Sequence, residues 1–467
     1  MTIFKRDKPA APKDPKPDPK ATAYEAHKAS AARRQAVIAA EGRDIPELPP
    51  IGDPKRRKSC PRNLAKFLKT YFPAAFPLKW SADHEKVVKK VQRTVLSGGL
   101  FALAMPRGSG KTTIFERAIL WAVLYGHHKY AILIGANREK ADESIDTIKS
   151  ELENNELLLE DFPEACIPAR RIAGIANRAK GQTHLGKPTR IQWAKCHIVL
   201  ATIKGATCSG AVIKTGAIKS AVRGAKLTRP DGSVVRPTLA LLDDPQTRDS
   251  AASLKQTDTR EKMVAADVLG LAGPGEKISA LMACTVIEPG DLSDRMLDRA
   301  THPDWQGERM KLVYAMPTNM PRWQEYRELR SDLLARDGEP EEVQRQSAAF
   351  YRKHRAEMDA GAVVAWPERK EEAELSALQS AMNLYFRDQA AFASEYQNEP
   401  LILEATDLFP DVDRAADPKP SRPCPSAIRH LSIAIKFGLR RFMSALVSLC
   451  SVRRQSSSVE SKVTVLI

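Results

Sequence analysis

Five short apolar runs, with helical patterns between several of them, constrain the fold of this chain most strongly. They read LFALAM (100–105), YAILIGA (130–136), HIVLAT (197–202), TLALLDD (238–244) and KISALMACT (277–285). After the second run, Ala141, Ile145, Ile148 and Leu152 recur at helical spacing on one face. Continuous apolar strands that alternate with helices are typical of a parallel sheet covered on both faces. The sequence therefore predicts an α/β fold with flanking helices.

Composition divides the 467 residues into four parts. Residues 1–58 are rich in Pro, Lys and Ala, which predicts a disordered basic arm, and 59–300 contain the apolar runs of the core. Charged helical patterns over 301–405 predict a helical lid or linker subdomain with a hinge near Pro400. Residues 406–467 are biased towards Ser, Arg and Pro, and we interpret them as a tail.

Cysteine spacing and hydropathy indicate the compartment. The seven cysteines form no C-x-x-C pair and no framework spacing, which suits a reducing cytoplasm and disfavours a structural zinc site. The N-terminus has no apolar signal region, and no apolar run approaches the roughly 18 residues of a membrane span. We expect a soluble protein without a membrane partner.

Positive charge is concentrated in one segment. The chain has a net charge of +16, and residues 168–229 contain 13 Lys and Arg but no Asp or Glu. Such a segment repels itself unless it meets an anionic polymer, so nucleic acid is the expected partner. The alternative is a solvated loop whose charges face acidic surface elsewhere. The candidate phosphate contacts are Arg170, Arg171, Arg178 and Lys180.

The first apolar run leads into a glycine-containing loop, AMPRGSGKTT, and then into a helical pattern. Gly110, Lys111 and Thr112 match the end of a phosphate-binding loop, although Met105 takes the place of its first glycine. Lys111 would contact the β and γ phosphates of a nucleotide, and the Thr112 hydroxyl would bind Mg²⁺. The candidate nucleotide-binding residues are Pro106, Arg107, Gly108, Ser109, Gly110, Lys111, Thr112 and Thr113.

The fourth apolar run ends in two adjacent acids, Asp243 and Asp244. A phosphate-binding loop needs such a partner, in which Asp243 would hold Mg²⁺ and Asp244 would polarise the attacking water. The alternative is a simple turn, because Asp-Pro is a turn dipeptide. Together with the loop, the paired acids predict an enzyme that hydrolyses ATP with Mg²⁺.

Several stretches together resemble the large terminase subunit of tailed bacteriophages, the ATPase that drives DNA into a procapsid. They are AMPRGSGKTT, GANREKADESIDTIKSELENN, LALLDDPQTRDSA, LAGPG, ACTVIEPGDL and FASEYQNEP. The likeness covers about residues 66–409. It implies a P-loop NTPase fold of the RecA-like (ASCE) type and a motor that translocates double-stranded DNA in the cytoplasm of a bacterial host. It further implies a portal ring, a small terminase subunit and other copies of this chain as partners.

The resemblance also implies roles for individual residues. Arg107 inside the loop would neutralise charge on the γ phosphate, and Arg138 is a rival for that task that could act on a neighbouring subunit. Thr285 would sense the γ phosphate and couple it to DNA movement. Trp80 and His84 match the adenine side of the family's site, with a core tryptophan and a helix cap as the alternative.

The chain departs from the family at two places. Many relatives have Glu where Asp244 stands, and terminases normally continue into a nuclease domain with several clustered carboxylates. After Phe409 this chain has only Asp411, Asp413, Asp417 and Glu460. We therefore expect no endonuclease activity.

Both the tail, 406–467, and the function of the chain have alternative interpretations. We interpret the tail as the product of a reading-frame change, and a basic amphipathic helix is its alternative. For the function, the alternatives are another P-loop DNA translocase or helicase and a non-catalytic DNA-binding remnant.

Overall fold

The computed structural model describes residues 27–34, 36–37, 44–219, 224–336 and 339–401. The chain divides after Leu401, and residues 402–467 lie outside the described residues. The four acids of the tail therefore lie outside them as well.

The described chain contains fifteen strands, with α-helices between many of them. The strands are β1 (Asp44–Ile45), β2 (Leu100–Ala104), β3 (Tyr130–Gly135), β4 (Thr183–His184), β5 (Lys187–Pro188), β6 (Gln192–Ala194), β7 (His197–Val199), β8 (Val212–Ala217), β9 (Leu227–Thr228), β10 (Val234–Val235), β11 (Leu239–Asp243), β12 (Ser279–Cys284), β13 (Glu308–Arg309), β14 (Val313–Ala315) and β15 (Val363–Val364). The α-helices are α1 (Pro54–Lys58), α2 (Leu64–Tyr71), α3 (Ala82–Ser97), α4 (Lys111–Leu124), α5 (Arg138–Asn154), α6 (Glu156–Asp161), α7 (Pro163–Ile172), α8 (Arg248–Ala251), α9 (Leu254–Met263), α10 (Leu292–Leu297), α11 (Met320–Ala335), α12 (Pro340–Asp359), α13 (Ala377–Arg387) and α14 (Gln389–Ala391). Shorter 3₁₀ or π turns lie at Pro73–Ala75, Ala176–Ala179, Val264–Val268, Pro303–Trp305 and Phe392–Tyr396.

Eight strands form one mostly parallel sheet in the order β13-β2-β12-β11-β3-β8-β7-β6. The six strands from β13 to β8 run parallel. β11 pairs in register with β12 on one side and β3 on the other, so the carboxyl ends of these strands are flush. The predicted α/β class, with a large central sheet and flanking helices, is confirmed.

The third apolar run differs from the parallel strand that its composition predicts. Its strand β7 runs antiparallel to both β6 and β8. Only Lys195 and Cys196 separate Ala194 of β6 from its partner His197 of β7. A two-residue connection can only return the chain antiparallel, since a parallel crossover needs about a dozen residues.

Both faces of the sheet are buried, which explains why its strands are continuously apolar. Leu133 and Leu241 contribute to a large core together with helices α2, α3, α4 and α7. Ile134 and Leu242, one residue further along the same strands, contribute to the core on the other face. Successive side chains of a strand point to opposite faces, so each strand supplies both cores.

The helical region predicted after residue 301 contains the packed helices α11, α12 and α13 and the small β14–β15 pair. It has its own core around Trp323, Tyr326 and Tyr351, which are fully buried. The Trp366 indole donates to the Lys79 carbonyl at 2.7 Å, which joins this region to the start of α3. The helical region and the sheet belong to one compact unit of the fold.

Asp161, at the end of α6, attaches the segment around α1 to the rest of the fold. Its fully buried carboxylate accepts hydrogen bonds from Arg56 Nε at 2.6 Å, the Tyr71 hydroxyl at 2.5 Å and the Asp53 amide at 3.0 Å. Burial opposes ionisation of Asp161, but the bonds from Arg56 and Tyr71 prevail and lower its pKa. Residues 53–58, the end of the predicted arm, are therefore held against the folded unit.

We predict that Asp161→Ala lowers the free energy of unfolding by about 3–5 kcal/mol, because it leaves Arg56 without its buried partner. Urea unfolding at neutral pH measures the loss. Asp146→Ala is the matched control, since Asp146 pairs with Lys149 on an exposed face and should cost at most about 1 kcal/mol. Equal losses in the two variants would contradict the role given to Asp161.

Candidate active site

The loop between β2 and α4 leaves a set of backbone amides without partners. Gly108 and Gly110 adopt left-handed conformations with φ of 78° and 76°, and Gly110 precedes α4 without any side-chain cap. The amides without an acceptor among the described residues are those of Gly108, Gly110, Lys111, Thr112 and Thr113. Unpaired amides at a helix N-terminus attract anions, so the geometry of this loop is suited to a negatively charged group.

Beside the loop, β11 ends in the two acids. The Thr112 hydroxyl donates to Asp243 Oδ1 at 2.8 Å, which joins α4 to β11. Burial, and then the charge of Asp244, raise the pKa of Asp243 to about 6, against the opposing effects of Thr112 and Lys111. Asp244 itself has a left-handed φ of 39°, and half of its side chain is exposed. The sharp turn after β11 thus directs one acid inward and leaves the other accessible to water.

Lys111 lies between β12 and Asp244. Its ammonium donates to the Cys284 carbonyl at 3.0 Å and to the Thr285 hydroxyl at 2.5 Å, and its Nζ lies 3.8 Å from Asp244 Oδ1. The Thr285 hydroxyl also contacts Asp244 Oδ1 at 3.3 Å. Thr285 is therefore in contact with both the cation and the accessible acid.

Two arginines share one carboxylate at the mouth of the site. Arg107 Nη1 lies 3.6 Å from Glu395, and Arg248 Nη2 donates to the other Glu395 oxygen at 2.8 Å. The side chains of Arg107 and Arg248 are 69% and 76% exposed, whereas that of Glu395 is 18% exposed. Both arginines can turn towards an anion. Arg138 is exposed at the start of α5 and does not line this cleft.

These groups surround one cleft of about 480 Å³. Its lining residues are Arg107, Gly108, Gly110, Lys111, Thr112, Thr113, Asp244, Gln246, Arg248, Thr285, Ile287 and Glu395. Asp243 does not line the cleft, but it accepts a hydrogen bond from Thr112, which does. The cleft thus brings together the loop, the acid pair and Thr285, all of which the sequence singles out.

His84 and Trp80 take different positions. The His84 ring is buried behind the loop, with Nε2 3.0 Å from the Ser109 carbonyl and Nδ1 2.8 Å from the Ser81 hydroxyl. Burial lowers the pKa of His84. Trp80 is buried and contacts Phe76. His84 thus supports the loop from behind, and neither residue lines the cleft.

Sequence reasoning missed several residues around the cleft. Arg369 Nη2 donates to the Arg107 carbonyl at 2.5 Å, so the helical region touches the loop there as well as through Glu395. Gln246 donates to the Thr285 carbonyl at 3.1 Å and to the buried Asp291 at 2.7 Å, and so links the ends of β11 and β12. Gln246, Asp291 and Glu395 fall within the family-like stretches LALLDDPQTRDSA, ACTVIEPGDL and FASEYQNEP, whereas Arg369 lies outside all of them.

The candidate nucleic-acid residues lie away from the cleft, on α7 and the turn after it. Arg170 donates to Glu156 at 3.0 Å, so part of its charge is already neutralised. Arg171 and Lys180 are exposed, and Arg178 is half-buried. None of the described helices is long and apolar enough to cross a membrane.

No protein-family model matches this chain, and no curated protein matches it.

We predict that Asp243→Asn stabilises the metal-free protein more at about pH 7.5 than at about pH 4.5. The folded-state pKa of Asp243, about 6, lies above its ordinary value of 3.8. The folded protein therefore retains a proton that the unfolded chain loses, and Asp243 lowers stability as the pH rises through this range. Asn carries no charge, so the variant escapes this loss.

Urea unfolding in the presence of a chelator measures the difference at both pH values. Asp249→Asn, at an acid outside the cleft, is the control and should show the same small difference at each pH. A pH-independent effect of Asp243→Asn would contradict the raised pKa.

Proposed function

We propose that this chain is an ATP-hydrolysing motor that translocates double-stranded viral DNA into a procapsid, the ATPase part of a large terminase subunit. One observation carries the proposal. Lys111, the Thr112–Asp243 pair and Asp244 meet at the carboxyl edge of the parallel strands, beside a loop of unpaired amides. Open α/β sheets bind ligands at that edge. Under this proposal the fold is a P-loop NTPase of the RecA-like (ASCE) type.

The loop would hold the phosphates of ATP. The amides from Gly108 to Thr113 would donate to phosphate oxygens, and Lys111 would exchange its contacts with Thr285 and Cys284 for the β and γ phosphates. Met105 does not prevent this role, because the turn is made by Gly108 and Gly110.

The Thr112 hydroxyl and the Asp243 carboxylate fit Mg²⁺, since this hard cation prefers oxygen ligands and takes the rest from phosphates and water. When bound, Mg²⁺ would neutralise charge on the phosphates. No group of three or more His, Cys, Asp or Glu among the described residues could hold a metal by protein ligands alone. A site completed by the substrate is consistent with that finding.

Asp244 is the proposed general base, which would orient the attacking water and accept its proton. Its half-exposed carboxylate faces the cleft, and Lys111 and Thr285 contact it. Its side chain is one methylene shorter than Glu, and its backbone has a left-handed φ of 39°. Thr285 contacts both Lys111 and Asp244. It would therefore transmit the presence or loss of the γ phosphate to β12.

Arg107 is the proposed charge-neutralising residue within the same chain, because it lines the cleft. Arg138 remains the candidate to act on a neighbouring subunit, since it is exposed at the first turn of α5. The portal ring, the small terminase subunit and self-assembly on the procapsid rest on the family resemblance alone.

We predict that Asp244→Asn and Lys111→Ala separate turnover from binding. Asp244→Asn should bind ATP normally but lower kcat by roughly 10²–10⁴-fold, the range for a lost general base. Lys111→Ala should weaken ATP binding and also lower kcat, because its charge would contact the phosphates throughout. Phosphate release and calorimetric ATP binding measure the two effects, with Mg²⁺ and with or without duplex DNA.

Asp249→Asn and Lys149→Ala are the matched controls, because both residues lie outside the cleft. Wild-type turnover in Asp244→Asn together with lost turnover in Asp249→Asn would move the base to Asp249. Absence of ATP turnover in the wild-type chain, with duplex DNA still bound, would favour the non-catalytic alternative.

We predict that Glu395→Gln raises the affinity for MgATP about 1.5- to 5-fold, which corresponds to an ion pair worth about 0.2–1 kcal/mol. The phosphates would compete with Glu395 for Arg107 and Arg248, and Gln competes less. Calorimetric titration measures the affinity. Glu399→Gln is the control, because Glu399 pairs with Lys311 outside the cleft. An unchanged or lower affinity in Glu395→Gln would show that the phosphates do not displace this carboxylate.

A further inference from the structure

Two further grooves open at the amino edge of the sheet, opposite the candidate active site. The first, about 760 Å³, is lined by residues that precede or flank β6 to β9. The second, about 790 Å³, is lined by residues that precede β3, β11 and β12. The β9–β10 hairpin lies between them, since Leu227 to Arg229 line the first groove and Val234 to Arg236 line the second. We call the two grooves together the amino-edge surface.

Register places this surface away from the cleft. Tyr130, the first residue of β3, pairs with Val212, the first residue of β8, whose partner Val199 lines the first groove. The Thr238 and Ser279 amides continue the same row, donating to the Tyr130 and Thr238 carbonyls. Lys111 and Asp244, by contrast, follow the carboxyl ends of their strands.

The amino-edge surface is strongly positive. The first groove contains Lys187, Arg190, Lys204 and Arg229, and the second contains Lys129, Arg236 and Lys277. Among the described residues, the acids that line the two grooves are Asp231 and Glu276. Asp231 already accepts hydrogen bonds from the Ser233 amide at 2.9 Å and its hydroxyl at 2.6 Å. Four stretches of the chain supply these cations, at 129, 187–204, 229–236 and 277.

None of these seven cations forms an ion pair with an acid of the described chain. Some exposed arginines elsewhere are paired, as Arg322 is with Glu325 and Glu357, and Arg345 with Glu342. Burial lowers the pKa of Lys129, and the nearby charge of Arg229 lowers it further. The two grooves are thus close enough for their cations to repel each other, which favours an external anion.

The side chains between the cations indicate which anion fits. In the described part of the chain, no Trp, Phe or Tyr lines either groove, whereas surfaces that bind single strands stack bases on aromatic rings. His127 and His128 line the second groove, but His127 Nε2 contacts the Pro61 carbonyl, and Nε2 and Nδ1 of His128 contact the Val95 carbonyl and the Thr238 hydroxyl, respectively. A phosphate backbone needs only distributed cations and small neighbours.

We propose that the amino-edge surface contacts the phosphate backbone of duplex DNA. The assignment rests on the proposed function, because it names the surface by which that motor holds its DNA. It extends the acid-free segment 168–229 to Arg236 and Lys277, which sequence alone does not connect to it. The nucleotide and the DNA then occupy opposite ends of the same strands.

The test compares two triple variants of the full chain. Lys187→Ala/Lys204→Ala/Arg229→Ala removes three cations of the surface. Arg336→Ala/Arg352→Ala/Lys353→Ala removes three exposed cations of the helical region and matches the charge change. Fluorescence anisotropy measures the affinity for a duplex of about 30 base pairs between about 50 and 200 mM NaCl. Each lost phosphate contact lowers the slope of log K against log salt by about 0.9, so the first variant should lose about 2–3 and the control almost nothing.

An unchanged slope in the surface variant, or an equal loss in the control, would overturn the proposal. Tighter binding of wild type to a single strand of equal length, or displacement of the duplex by polyglutamate at equal charge, would overturn it too. ATP turnover separates the two claims. If the wild-type chain binds duplex with the expected slope but does not hydrolyse ATP, the proposed motor function is wrong and the proposed DNA contact of the amino-edge surface is still supported.

Discussion

The hydrogen bond from the Thr112 hydroxyl to the Asp243 carboxylate joins two parts of the chain that are 131 residues apart. It depends on the flush register of β3, β11 and β12, because a shift of one residue would exchange Asp243 for a core side chain and reverse every strand residue between faces. The same register brings Thr285, at the end of β12, against Lys111. The chemistry of the cleft is thus a consequence of strand pairing.

The helical region is the second structural element of the cleft. Its Glu395 backbone carbonyl accepts from the Arg107 amide at 2.9 Å, and its Arg369 side chain donates to the Arg107 carbonyl. A Cβ at Gly108 would lie only 3.3 Å from Arg369, so glycine also serves this close approach. Changes in the conformation of the loop would therefore reach the helical region through direct contacts, without any intermediate layer.

Much of the sheet and the cleft could be predicted because both depend on local sequence. The runs that form β2, β3, β11 and β12 are apolar over their whole length, and a strand buried on both faces requires this. Gly110, Lys111 and Thr112 are contiguous, so their common position follows from the turn that they make. The direction of the run around His197 does not follow from its hydropathy, because β7 pairs antiparallel with both of its neighbours and an apolar strand looks the same in either direction.

By itself, the sequence determined the α/β class, the loop and the acid pair, since each is a property of neighbouring residues. Only the tertiary structure decided that Arg248 and Glu395 meet Arg107, that His84 supports the loop from behind, and that the cations of the amino edge form one surface. These contacts join residues far apart in the chain. Their distances follow from strand order and helix packing, which no local pattern encodes.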